Sequence, residues 1–312
     1  MKVYDITNNL KENTSSFEFG KSHYWIILTP MEMHSLQYKL LLESEILIQC
    51  CSHNNSPQIS FFDGYLFLVT NIINYYKGTV NISELDIILS KDYIITIFEE
   101  DADLINNLLK DFNDSKNCFI LKNEPKPCIV MYYILDRIIL NNYNVLASIE
   151  TDADKIEINI LKNPEHKQLE NLINIRRQVF KIKKCLNPLR HIGDSLIGNE
   201  NSIIEKENII YFINLNNKIH KLLITLESLL QDLALVREAF ESEIANKTNE
   251  LMKVFTIIAT IFLPLDLITG LLSMNVKHVP FVELEYGYYY ILGAMFSLVM
   301  LLCYVFKIKK WL

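Results

Sequence analysis

The chain of 312 residues lacks every common catalytic signature: no GxSxG, HExxH, P-loop or GxGxxG pattern occurs. Nucleophile-elbow, zinc-protease, phosphate-cradle and dinucleotide chemistries therefore have no support, and a non-enzyme is expected. The seven histidines stand at no ligand spacing, and the six cysteines form no CxxC or Cys/His zinc pattern. The thiols read as reduced core residues of a cytosolic domain. With 30 Lys and Arg against 37 Asp and Glu, the net charge is -7 and positive charge is not gathered into the footprint nucleic acid requires. The first residues, MKVYDITNNLKEN, contain no apolar stretch of the kind found in a signal peptide. Glycine and proline are also missing from Leu215 to Leu263, which leaves a helix beginning near Ile209 free to run without a break.

What is present is dominated by two apolar runs, residues 249–275 and 288–306, each long enough to cross a ~30 Å hydrocarbon core as a helix. Upstream, residues 1 to about 100 read as mixed α and β. Tyr24 to Leu28 is a strand, Pro30 opens a helix that continues over residues 31–51, and residues 58–69 form a second strand. Residues 86–90 and 93–98, separated by Lys91 and Asp92, read as a hairpin. Glu99, Glu100, Asp101 and Asp103 follow, either as an acidic helix start or solvated loop or as a hard-cation site. The remainder is helical: residues 103–113, 128–160 ending at Pro164, and 168–196 with Pro188 as a kink or stop. The third of these carries a basic cluster of Arg176, Arg177, Lys181, Lys183 and Lys184. In the last long helix, apolar residues recur at Leu222, Leu226, Leu229, Leu230, Leu233, Leu235 and Phe240.

Lysines flank the paired runs at Lys247 and Lys253 before the first and at Lys307, Lys309 and Lys310 after the second. The positive-inside bias puts both ends in the cytoplasm and the connecting loop outside. Trp311 and Tyr288 to Tyr290 suit interfacial aromatic belts. On a helical repeat, Asn249, Met252, Thr256, Ala259, Leu263, Asp266, Gly270 and Ser273 fall on one stripe that gathers the small and polar residues of the first span. Such a stripe serves helix packing or a water-filled path. A carboxylate deep in a span is costly in lipid, so Asp266 marks a path, or else it pairs with a neighbouring helix or stays protonated. Two spans cannot enclose a polar path, so conduction would require an oligomer.

These residues resemble the CorA-type divalent cation transporters. Asn249, Glu250, Met252, Lys253, the TIIATIF run from Thr256, Pro264 and Leu265 are similar to the family's first membrane helix. Met274 and Asn275 match two positions of its Gly-Met-Asn signature, and PFVELEYGY and FKIKKWL resemble its outer loop and C-terminus. Weaker similarity reaches upstream through KDYIITIFEE, YYILDRII, LNPLRHI and IYFINLNNKI.

The resemblance implies an α+β chain forming a funnel-shaped homopentamer. A cytosolic α/β/α domain spans residues 1–160, and long helices with a stalk span 161–248. A pore-lining span at 249–275, an outer loop at 276–287, an outer span at 288–306 and a basic cytoplasmic tail at 307–312 follow. It implies a plasma (inner) membrane location, Mg²⁺ as cargo, with Co²⁺ or Ni²⁺ as companions, no resident cofactor, and lipid, divalent ions and its own copies as partners, with no nucleic acid. By position, Ser273, Met274 and Asn275 would form the selectivity filter, with Asn275 receiving a hydrated cation; this suits Mg²⁺, which dehydrates reluctantly. Met252, Phe255 and Leu263 would be apolar constrictions that gate by dewetting, with Asn249 at the cytoplasmic mouth. Glu283 and Glu285 would concentrate cations outside.

The chain departs from the family in three places. Ser273 replaces the signature glycine. Asp266 stands where the family has an uncharged hydroxyl, so a pentamer would hold five carboxylates about one axis, sharing protons or a partly dehydrated cation such as Zn²⁺ or Mn²⁺. Asn214, Asn216 and Asn217 occupy a segment where the family often carries Mg²⁺-sensing aspartates. A zinc transporter of the ZntB kind, proton-linked through Asp266, and a non-conducting membrane scaffold are the competing readings.

Overall fold

The computed structural model describes residues 1–12, 20–33, 43–51, 56–98, 103–114, 116–274, 286–309 and 311. By its internal contacts the chain divides into two units, Met1–Arg237 and Glu238–Leu312.

The first unit is built on a seven-stranded sheet. Its strands are β1 (Lys2–Asp5), β2 (Lys11–Glu12), β3 (Tyr24–Leu28), β4 (Gln58–Phe62), β5 (Tyr65–Tyr76), β6 (Thr79–Ser90) and β7 (Tyr93–Ile97), in the order β2-β1-β3-β7-β6-β5-β4. Pairing is antiparallel except where β3 runs parallel to β7. Between these strands lie helices α1 (Pro30–Met33) and α2 (Ser44–Cys51). After the sheet come α3 (Asp103–Asn113), α4 (Phe119–Asn123), α5 (Pro127–Lys162), α6 (His166–Leu186) and α7 (Leu189–Gly198). A single 3₁₀ turn leads into α8 (Ile209–Ser273).

The β3 strand, the β6–β7 hairpin, α3, the helix over residues 128–160 and the breaks at Pro164 and Pro188 agree with the sequence reading. Two expectations are corrected. Residues 58–69 are not one strand: Asp63 and Gly64 form a tight turn between β4 and β5, with Gly64 at φ 81°. Only a residue without a Cβ adopts that angle without steric cost. Residues 31–51 are not one helix, because Glu43 is non-helical, its N–H reaching the Tyr65 hydroxyl at 3.4 Å, and residues 34–42 lie outside the described residues. A third feature was not anticipated: β5 and β6 are twelve residues each, joined at Lys77 and Gly78, both at positive φ. That backbone twist suits a two-residue hairpin loop. Of the acidic run after β7, Asp103 begins α3, and Glu99, Glu100 and Asp101 lie outside the described residues.

The core is tied together by aromatics. Trp25 on β3 is fully buried, donates its indole N–H to the Thr96 hydroxyl at 3.1 Å, and meets Phe112 edge-on at 6.1 Å. Phe112 in turn meets Tyr133 of α5 at 5.7 Å, and Tyr132 meets Phe212 of α8 at 6.3 Å. The first part of α8 is buried at Phe212, Leu215, Ile219, Leu222, Leu226, Leu229, Leu233 and Val236. This strict three-four alternation gives a continuous apolar seam. Leu235, expected among the apolar repeats, is exposed and lies off it. Ion pairs fasten the seam's edges: Lys218 to Asp136 at 2.5 Å and Lys183 to Glu227 at 2.7 Å. Cys118, Cys128, Cys185 and Cys303 form no disulfide, and burial pushes the Cys118 and Cys128 thiols up to about 11, so they stay protonated.

One buried group stands apart. Asp86, next to the apolar run Ile87 to Leu89 of β6, is 3% exposed. Burial first, then the adjacent Glu84, push its carboxyl up to about 7, opposed by a hydrogen bond from the Cys50 thiol. The folded chain holds this proton more tightly than the unfolded chain does. Stability from this group is therefore full below the usual carboxylate range and is lost as pH rises from about 4 to about 7. Asp86→Asn is expected to flatten that pH dependence and to gain up to about 4 kcal/mol relative to the parent at neutral pH. Melting temperatures of both proteins across this window measure the effect.

Candidate functional site

The candidate site is in the second unit. It comprises the last part of α8 and helix α9 (Gly287–Ile308), the two helices among the described residues long and apolar enough to cross a membrane. α8 continues without interruption through the polar lead-in and the apolar run to Ser273, with Pro264 inside it. Proline there removes one backbone hydrogen bond, to the Thr260 carbonyl.

Burial divides this part of α8 into two faces. Ile257, Thr260, Ile261, Pro264, Leu265, Ile268 and Leu272 are half-buried. On α9, Ile291, Met295, Leu298, Val299, Leu302 and Cys303 are half-buried, and Phe306 is buried. These stripes repeat at three- and four-residue intervals, and since α8 and α9 are the two helices of the unit among the described residues, we assign the stripes to one shared seam. Every described residue of the predicted polar stripe is exposed instead: Asn249, Met252, Thr256, Ala259, Leu263, Asp266, Gly270 and Ser273, along with Phe255 and Met274. At ~100° per residue, the stripe's centre falls on the opposite side of α8 from the seam with α9. The stripe is therefore a face that this chain leaves unpacked. A Cβ added at Gly270 would meet nothing, which fits an open face.

The hydroxyls along the span bond to their own helix. Thr256 donates to the Met252 carbonyl at 2.7 Å, Thr260 to Thr256 at 2.7 Å, Thr269 to Asp266 at 3.0 Å and Ser273 to Gly270 at 2.9 Å. Each donor thus spares itself desolvation in an apolar setting. Ser273 is the last residue of the helix, and its hydroxyl is spent on helix closure. Asp266 is the only ionisable side chain of α8 beyond Lys253, and α9 has none before Lys307 except Tyr and Cys side chains. No lysine or arginine is therefore present at its depth among the described residues.

Toward the other end of the span, Asn249, Met252 and Thr256 line a recess of about 610 Å³ with Glu243, Lys253 and Trp311. The tail is held there by Trp311, whose ring stacks on Phe306 at 6.0 Å and whose backbone N–H reaches the Phe306 carbonyl at 3.0 Å. Trp311, read from sequence as an interfacial anchor, is thus also part of the wall beside Asn249. Asn275, Glu283 and Glu285 lie outside the described residues. In the first unit the three asparagines separate. Asn216 is buried, donates to Asp194 at 2.9 Å and lies against Gly193, whereas Asn214 and Asn217 are exposed. Asn216 therefore joins α7 to α8 and is not available as an exposed cation ligand.

Comparison with known proteins bears on this arrangement. A family model described as CorA-like Mg2+ transporter protein matches residues 20–310. The cobalt/magnesium transport protein CorA of Thermotoga maritima is 28% identical over 258 residues, covering 82% of this chain and 73% of that protein. The zinc transport protein ZntB of Vibrio parahaemolyticus is 29% identical over 138 residues, covering 44% of this chain and 42% of that protein. The complete structure of the CorA magnesium transporter from Methanocaldococcus jannaschii superposes with a TM-score of 0.85 at 19% identity, covering 100% of this chain and 98% of that one. At that identity the likeness establishes the fold: an α/β unit, a long helix and a second apolar helix.

Proposed function

The chain belongs to the CorA-like Mg2+ transporter family, and from that premise we propose that it carries divalent cations, magnesium first, across the plasma (inner) membrane. The working form is a homopentamer with both termini in the cytoplasm. The observation that carries this reading is the unpacked polar face of α8, opposite the seam with α9 and bearing Asp266. A carboxylate in a span avoids lipid, and with α9 on the other side the face is left for water and for further copies of the chain. Five copies placing this face inward give a path lined from Asn249 to Ser273.

In that path Asn275 receives the hydrated ion and Met252 and Leu263 form apolar rings that close by dewetting. The acids Glu283 and Glu285 raise the local cation concentration outside. Asp266 supplies a ring of oxygens where the family has hydroxyls, which favours an ion able to shed water. That last point supports the second reading, zinc transport, to which the similarity with ZntB also lends weight.

Purified protein in proteoliposomes is expected to admit Mg²⁺ under an inward-negative voltage, read with an internal Mg²⁺ dye, and Asn275→Ala is expected to abolish it. Zn²⁺ entry tied to a proton signal, without Mg²⁺ entry, favours the zinc reading; no flux of either ion rejects transport. Asp266→Thr is expected to lower the Zn²⁺-to-Mg²⁺ flux ratio about tenfold, the effect of losing charge-assisted ligation worth ~1.4 kcal/mol. An unchanged ratio and pH profile removes Asp266 from selectivity.

The lining itself is tested by single cysteines in a cysteine-free background. Positions 256, 259, 263 and 266 are expected to react with a membrane-impermeant thiol reagent. Positions 261 and 268, on the seam, are expected to be protected. Equal labelling of both faces contradicts the assigned path.

A further inference from the structure

α8 ends at Ser273, and its last turn is not closed by the backbone alone. The N–H of Met274 bonds the Leu271 carbonyl at 3.4 Å, three residues back. A regular α-helical bond from that N–H would have gone to Gly270. The Ser273 hydroxyl supplies the Gly270 carbonyl with a donor instead, at 2.9 Å. Thr256 makes a related bond to the Met252 carbonyl at 2.7 Å. Met252 lies inside the helix, however, where the Thr256 N–H is placed for the same carbonyl. The bond at Ser273 differs because it takes the place of a backbone bond rather than adding to one.

A hydroxyl has one proton and two acceptor lone pairs. With the proton committed to Gly270, Ser273 offers only lone pairs to its surroundings. Gly270, Ser273 and Met274 are all exposed, and a Cβ added at Gly270 meets nothing, so no described residue fills the space beside this end of the stripe. The negative end of the helix dipole lies at the same place. An exposed helix end that presents acceptors suits a cation surrounded by donors. Water bound to a divalent cation is such a donor, because the ion polarises it. Mg²⁺ gives up its waters reluctantly, so an oxygen at the entrance meets the shell and not the bare ion. Asp266, seven residues or ~10 Å further along the helix, carries the full charge that can compete with that shell.

We infer that Ser273 is a specificity-determining residue of the path: its hydroxyl oxygen, oriented by the bond to Gly270, accepts hydrogen bonds from the water shell of the entering divalent cation. The inference rests on the transport reading and deepens it. Serine in place of the signature glycine is then an added acceptor rather than a loss. Five copies present a ring of such oxygens at the end of the stripe, and the ion meets it with its shell intact.

Two probes are used on the full-length protein: Mg²⁺, and hexaamminecobalt(III), an exchange-inert ion whose ammine N–H groups stand in for a fixed water shell. Ser273→Ala is expected to raise both the half-saturating Mg²⁺ concentration for flux in proteoliposomes and the dissociation constant of hexaamminecobalt(III), measured by calorimetry in detergent. Each rise is expected to be about fivefold, the size of one lost hydrogen bond, and larger than any fall in maximal flux. Ser273→Thr, which keeps the hydroxyl, is expected to restore both constants. Ser273→Cys, of similar size but a weak acceptor, is expected to follow alanine, so the result does not depend on one variant folding. The inference is overturned if hexaamminecobalt(III) does not bind the parent, if both constants are unchanged in the alanine and cysteine variants, or if threonine fails to restore them. A lower maximal flux or melting temperature with both constants unchanged also overturns it, since that is the mark of helix closure alone. Calorimetry requires no conduction. Ser273-dependent binding without flux leaves this inference standing and rejects transport, and flux that ignores Ser273 does the reverse.

Discussion

A membrane helix can hold a carboxylate only where water or protein meets it, and Asp266 imposes that condition on the whole second unit. In the proposed path, the residue decides which side of α8 is kept from lipid. The half-buried stripe that includes Ile257, Ile261, Pro264, Ile268 and Leu272 takes the other side, against α9. The lipid-compatible surface is then left to the outer positions of α9, where Tyr288, Phe296, Met300, Leu301 and Tyr304 are exposed. Hydroxyls that bond back to their own helix let Thr256, Thr260 and Ser273 sit in this environment without unpaired donors. Each assignment follows from the cost of desolvating one charge.

The first unit depends on a different device, close apolar packing. The aromatic sequence Trp25, Phe112, Tyr133, Tyr132 and Phe212 links strand β3 to α3, α5 and α8 across residues far apart in the chain. The three-four repeat of α8 extends that core along the helix, and the Lys218–Asp136 and Lys183–Glu227 pairs hold its margins. The pairs are partly solvated, so they contribute modestly and mainly set register. Apolar contact supplies most of the stability.

Much of this was legible before the structure. Helix breaks at Pro164 and Pro188 are written in single residues with fixed backbone consequences, and the strand at Tyr24 in a short apolar run. The unbroken α8 follows from the lack of Gly and Pro over a long stretch. The Asp63–Gly64 turn was hidden because Phe61, Phe62, Tyr65 and Leu66 surround it with strand-forming residues, so the run reads as continuous. Asp266 was conspicuous because a lone charge in an apolar run has no local explanation. Asp86 was not, although a carboxylate directly before the apolar run Ile87 to Leu89 of a strand was a usable signal. The cleft it lines is assembled from β6 and α6, about a hundred residues away, and no local period encodes such a meeting.

The chain contains two tryptophans, and the fold distributes them one to each unit. Trp25 is sealed in the α/β core with its indole N–H bonded to Thr96, whereas Trp311 is partly exposed against Phe306 beside the mouth of the first span. The molecule therefore has a built-in pair of optical reporters. Emission from the first is shielded from aqueous quenchers and emission from the second is open to them. Loosening of one unit can be followed apart from the other in unlabelled protein.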